Sequence, residues 1–273
     1  MSARAREARE DEPGGIGRRA VLRGGLVVAG GVLLGGAAQT ASAPAAAAAA
    51  EPSVHTRAAW AARPPTSPAQ VIGQAPTYIV VHHTATANST DYSLEHAFAL
   101  SRSIQNFHMD GNGWADTGQQ LTISRGGHVM EGRNSSLPAI RAGDHVIGAH
   151  VANYNDVAVG IENEGTYTSA EPTGALYGAL VETCAWLCAA YGRPASAIIG
   201  HRDLNATACP GDVLYGMLPQ LRQDVGAVLG AEYRRPLPAS QRPPYPGVPE
   251  AGRVREFRHG PALGRRDSNA AVG

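Results

Sequence analysis

His201 and Cys209 stand eight residues apart in Gly200-His201-Arg202-Asp203-Leu204-Asn205-Ala206-Thr207-Ala208-Cys209-Pro210-Gly211. An imidazole and a thiolate on one loop are two good ligands for a borderline-soft divalent metal. At least one more ligand must come from elsewhere in the chain. Thr77-Tyr78-Ile79-Val80-Val81 is a compact β-branched run, too short for a helix, that leads directly into His82-His83. His201 follows the similar run Ala197-Ile198-Ile199, and Glu162 lies near the end of a third, which starts at Asp156. Ligands in open α/β sheets gather at the carboxyl ends of strands, so His82, His201 and Glu162 fall on one rim. Two imidazoles and a thiolate leave one tetrahedral position open, the arrangement of a catalytic Zn²⁺. Glu162 is then a further potential actor on the same rim.

Other chemistries are excluded by what is missing. His201-Arg202-Asp203-Leu204 imitates a kinase catalytic loop, but that loop needs Asn where this chain has Ala208. All 23 basic residues are Arg, so no lysine is present for a Schiff base, a phosphate clamp or a kinase strand. No Gly-x-Ser-x-Gly elbow occurs either.

The elements that must position these groups alternate in type. A helix is predicted from Asp91 to about His108, with Leu94, Ala97, Phe98, Leu100, Ile104 and Phe107 at helical spacing and Thr90 or Asp91 as cap. Gln120 to Ser124 and His128 to Glu131 flank Arg125-Gly126-Gly127, a hairpin signal. A long loop is predicted from there to His150. Helices are predicted over 173–191 and from Val213 to Leu229, the second with a possible break at Pro219. The fold class is therefore α/β, a mixed, mostly parallel central sheet flanked by helices. Cys184 and Cys188 lie four apart on one helix face. Buried apolar residues, a strained disulfide and metal ligation are all open to them.

The domain is expected over 54–230. Before it, Gly17-Arg18-Arg19-Ala20-Val21-Leu22-Arg23, a mildly apolar stretch and Ala41-Ser42-Ala43 read as a twin-arginine signal peptide over 1–43, followed by a flexible leader over 44–53. Beyond it, 231–273 is Pro- and Arg-rich without apolar periodicity and reads as a disordered tail. Removing the signal leaves 17 Arg against 19 acidic residues, a net charge of about −2. No nucleic-acid partner is implied, and no later segment resembles a membrane span. A secreted monomer is expected.

The chain resembles the type-2 N-acetylmuramoyl-L-alanine amidases and peptidoglycan recognition proteins from about Arg57 to Leu221. The matching pieces include Tyr78 to Ala85, Ile104-Gln105-Asn106-Phe107-His108, Gly113-Trp114-Ala115-Asp116, Glu131-Gly132-Arg133, Gly148-Ala149-His150, Val159-Gly160-Ile161-Glu162 and the loop ending in Cys209. The resemblance implies zinc ligands at His82, His201 and Cys209, with His83 the alternative to His82. It implies Glu162 as catalytic base and Thr207 as a group that hydrogen-bonds the substrate carbonyl or oxyanion. His150, Gln119 and Trp114 are the substrate-binding candidates, His150 with a structural role equally open. The implied activity is hydrolysis of the amide between N-acetylmuramic acid and L-alanine in peptidoglycan. One departure stands out: recognition-protein amidases usually carry a tyrosine where this chain reads Asp116-Thr117-Gly118-Gln119, and Gln119 has no phenolic proton to give. The alternative function is therefore non-catalytic peptidoglycan binding.

Overall fold

The structure, a computed structural model, describes residues 49–244. The expected signal peptide and most of the expected tail lie outside the described residues. Eight strands are described: β1 (Val54–His55), β2 (Val71–Ile72), β3 (Tyr78–His83), β4 (Leu121–Ile123), β5 (Val129–Glu131), β6 (His145–Val146), β7 (Ala158–Asn163) and β8 (Ile198–Gly200). Between and after them run α1 (Leu94–Asn106), α2 (Ser136–Ala142), α3 (Gly174–Tyr191), α4 (Asp212–Gly216) and α5 (Leu218–Leu229).

The main sheet has the order β1-β5-β4-β7-β3-β8. All its pairings are parallel except the β4–β5 hairpin, as a mixed, mostly parallel sheet requires. β2 and β6 form a separate antiparallel pair. β3 and β7 are buried along their whole length, which is why their sequences read as continuous apolar runs rather than alternating ones.

Alternation along the strands sends side chains to two faces of the sheet. Ile79, Val81, Val159, Ile161 and Ile198 face a large cluster with Leu176, Leu180 and Leu187 of α3 and Leu221 and Val225 of α5. Tyr78, Val80, Ala158 and Ile199 face the other way, onto Val151, Leu204 and Leu237. The register pairs His82 with Glu162, and Glu162 with Thr122. These three side chains therefore continue the second face at the carboxyl ends of its strands.

Helix α1 begins at Leu94 rather than Asp91, because Ser93 supplies the cap: its side chain accepts the backbone N–H of His96. It ends in a wider turn over Phe107–Gly111. α3 starts after the Thr173 cap and stops at Gly192, which is left-handed. The break before α5 falls at Met217, and Pro219 sits in the first turn of α5, where its missing N–H costs nothing. α2 lies within the stretch read as loop; its Pro138 also falls in a first turn, where proline is tolerated. Cys184 and Cys188 are free, buried thiols within the α3 face of the larger core. Burial pushes Cys188 up to about 12, so both behave as small apolar residues.

Residues 231–244, expected as the start of a disordered tail, carry two short 3₁₀ turns and bury Leu237 in the second core. The backbone carbonyl of Arg235 accepts the Ser196 hydroxyl at 2.8 Å. One apolar anchor and a few carbonyls hold this segment, a signal too sparse for periodicity to reveal. Among the described residues no helix is long and apolar enough to cross a membrane.

Candidate metal centre

His82, His201 and Cys209 are all buried, and one ligand atom from each lies within 4.8 Å of the other two. His82 arrives on the sheet, as the fifth residue of β3. His201 opens a 3₁₀ turn directly after β8, and Cys209 returns at the end of the same loop. The separation of Cys209 Sγ from His82 Nδ1 is 3.7 Å. A thiolate and an imidazole on one tetrahedral zinc stand about 3.6 Å apart, given the usual bond lengths, so the donor set and its spacing fit that ion. His83 faces the opposite side of the sheet, where its Nδ1 accepts the N–H of Tyr167.

Each imidazole has a partner at its Nε2. His82 Nε2 lies 3.0 Å from His150 Nδ1. His201 Nε2 lies 3.1 Å from Asn205 Oδ1. The Asn205 amide is oriented by the backbone of Ala152, which donates its N–H to Oδ1 and accepts from Nδ2. Its oxygen therefore faces His201, so Nε2 carries the proton and Nδ1 is left for a metal. Burial pushes His201 down to about 3, with the Asn205 hydrogen bond opposing it. It is a neutral ring at ordinary pH, as ligation needs.

The loop that carries two of the ligands is closed by its own side chains. Arg202 is buried and donates to Asp212 at 2.7 Å and to the carbonyls of Cys209 and Ala208. Its guanidinium stacks on Tyr215 at 4.7 Å. Asp203 accepts the Gly200 N–H at 2.9 Å and the Tyr215 hydroxyl at 2.6 Å. His201-Arg202-Asp203 is thus one candidate ligand and two clamps. Sequence reading assigned no role to Arg202, Asp203 or Asn205; an Asn four residues after a ligand histidine was the one available signal.

The remaining candidates are placed as follows. Glu162 is buried and registers beside His82. Glu164 is committed elsewhere: one oxygen pairs with His96 Nε2 at 2.5 Å and the other accepts the Arg125 N–H at 2.7 Å. Thr207 is buried, and its Oγ1 accepts the Cys209 N–H at 3.1 Å, which ties it to the turn that carries Cys209. Gln119 is buried and donates to Thr122 Oγ1 at 2.9 Å, on the strand position that registers with Glu162. Trp114 is 8% exposed, with its ring 4.7 Å from that of His108. His150 is 2% exposed and turned towards His82.

Several matching pieces hold the scaffold rather than the site. Asp116 pairs with Arg57 at 3.0 Å and accepts from Gln105 and Asn134. Glu131 accepts the N–H groups of Leu137 and Arg57, and its carbonyl accepts from the Trp60 indole.

A mixed, mostly parallel α/β sheet with a His-His-Cys cluster on its carboxyl rim defines the class. Residues 72–212 match the N-acetylmuramoyl-L-alanine amidase family, Amidase_2, and the chain belongs to that family. Human N-acetylmuramoyl-L-alanine amidase is 32% identical over 169 residues, which cover 61% of this chain and 28% of the human protein. Peptidoglycan-recognition protein LB of Drosophila melanogaster is 33% identical over 161 residues, 59% of this chain and 65% of the fly protein. The solved structure of Drosophila PGRP-LB superposes with a TM-score of 0.53 at 30% identity, covering 60% of this chain and 91% of that one. Peptidoglycan recognition protein-LE in complex with tracheal cytotoxin, a monomeric diaminopimelic acid-type peptidoglycan, gives a TM-score of 0.53 at 25% identity and covers 61% of this chain and 92% of that one.

Proposed function

We propose that this chain is a zinc-dependent amidase that hydrolyses the bond between N-acetylmuramic acid and the L-alanine of the peptidoglycan stem. The observation that carries the reading is the buried His82, His201 and Cys209 cluster, with donor atoms within 4.8 Å of one another. Zinc in that cluster supplies Lewis acidity, polarising a carbonyl and acidifying water. The protein's own groups do the rest. Glu162, beside His82 in the sheet register, accepts the proton of the attacking water and returns it to the amine of the departing L-alanine. The Thr207 hydroxyl hydrogen-bonds the developing oxyanion. Gln119 and Trp114 contact the glycan or peptide.

Peptidoglycan lies outside the cytoplasm, so export by the twin-arginine route, cell-wall association and a monomeric working form belong to the same proposal. The second reading is peptidoglycan binding without cleavage. It is motivated by Gln119, which stands where recognition-protein amidases usually carry a tyrosine.

Incubating the zinc-loaded protein with muropeptides, followed by mass spectrometry, separates the two. Release of stem peptides that begin with L-alanine supports the amidase; binding with no release leaves the binder. Cys209→Ala is expected to lose both zinc and turnover. Glu162→Gln is expected to keep its zinc and lose about 10²–10⁴-fold in turnover, and unchanged turnover would move the base to another group.

A further inference from the structure

The His150 imidazole is buried against His82, its ring centroid 5.1 Å from that of His82 and nearly perpendicular to it at 86°. Its Nδ1 lies 3.0 Å from His82 Nε2, and its Nε2 lies 3.1 Å from the carbonyl oxygen of Ala158. The ring occupies a slot opened by two missing side chains. A Cβ on Gly160 would stand 2.7 Å from His150 Nδ1, and one on Gly148 would stand 2.5 Å from its Cδ2. The Asn155 side chain fixes the slot: its Oδ1 accepts the N–H groups of His150 and Val151.

The Ala158 carbonyl can only accept, so His150 Nε2 is the donor there. In the neutral ring Nδ1 is then an acceptor, and the proton between the two rings sits on His82 Nε2. That leaves the lone pair of His82 on Nδ1, the nitrogen 3.7 Å from Cys209 Sγ. We propose that His150 is a positioning residue: the chain from Ala158 through His150 to His82 fixes the tautomer and ring angle with which His82 meets the metal. This inference rests on the zinc reading of the site, and it gives His150 work distinct from contacting glycan or peptide. It also accounts for glycine at both 148 and 160.

The test compares the native protein with His150→Asn and His150→Leu. Asparagine places an acceptor oxygen near the position of Nδ1; leucine fills space and accepts nothing. Zinc affinity is measured by chelator competition, and the cobalt-substituted proteins are compared by absorption spectroscopy. Leucine is expected to weaken zinc binding about 10–100-fold and to shift the cobalt bands, with asparagine recovering part of the loss. A folded leucine variant that binds zinc as tightly as the native protein would overturn the inference. Nitrogen-15 NMR of the metal-free native protein gives an independent readout if leucine does not fold: His82 and His150 are expected to carry their protons on Nε2, and a proton on His82 Nδ1 would also overturn it. If the native protein takes up no zinc at all, the metal reading itself fails and the inference falls with it. Zinc that binds the native and leucine proteins equally sinks the inference alone.

Discussion

The two sides of the metal centre are built differently. His82 belongs to a buried central strand, paired on both sides by β7 and β8, and its ring is backed by another ring in a glycine slot. His201 and Cys209 belong to an irregular loop, held by the polar groups of Arg202, Asp203 and Asn205. Sheet register fixes the backbone of the first side, and the His150 side chain meets its ring. The second needs buried side chains, each costly to leave unpaired.

Disturbing each side separately tests that division. Arg202→Leu should be the most damaging change, because it strips donors from the carbonyls of Ala208 and Cys209 and leaves them buried. We expect a loss of about 3 kcal/mol in chemical unfolding and weak zinc binding. The NMR tautomers of His82 and His150 should stay as in the native protein. A change in those tautomers would show that the two sides are not separable. Next in size is Gly160→Ala, whose new methyl must displace the His150 ring. It should cost about 1–3 kcal/mol of stability and weaken zinc, with the bonds of Arg202 and Asp203 intact. Asn205→Ala should be the mildest. It should lower zinc affinity about 10-fold with little change in unfolding midpoint, and an unchanged affinity would deny Asn205 any part in orienting His201.

The same division explains what could be read from sequence. β3, β7 and β8 announce themselves as apolar β-branched runs, and each ends in a residue with chemistry: His82, Glu162 and His201. The His-His-Cys cluster was legible for that reason, helped by the match of many short pieces in the family's order. Loop contacts leave no such pattern. Arg202 and Asp203 looked like a kinase echo or ordinary charges, and only coordinates show them closing the turn. His150 was legible as part of Gly148-Ala149-His150, but not its direction, since a histidine beside a cleft and one behind a ligand share the same sequence. Helix ends shifted where a neighbouring side chain supplied the cap, as Ser93 did for α1. Leu237 escaped because one buried residue in a Pro-rich segment makes no period.

We propose that these two sides meet to hydrolyse one amide bond. Cleavage of muropeptides by the zinc-loaded protein in ¹⁸O-water, with both products weighed, tests this directly. One ¹⁸O is expected in the lactyl carboxylate of the muramic acid product, with an unlabelled peptide that begins with L-alanine. No products from a zinc-loaded sample, or a peptide lacking that L-alanine, would contradict it.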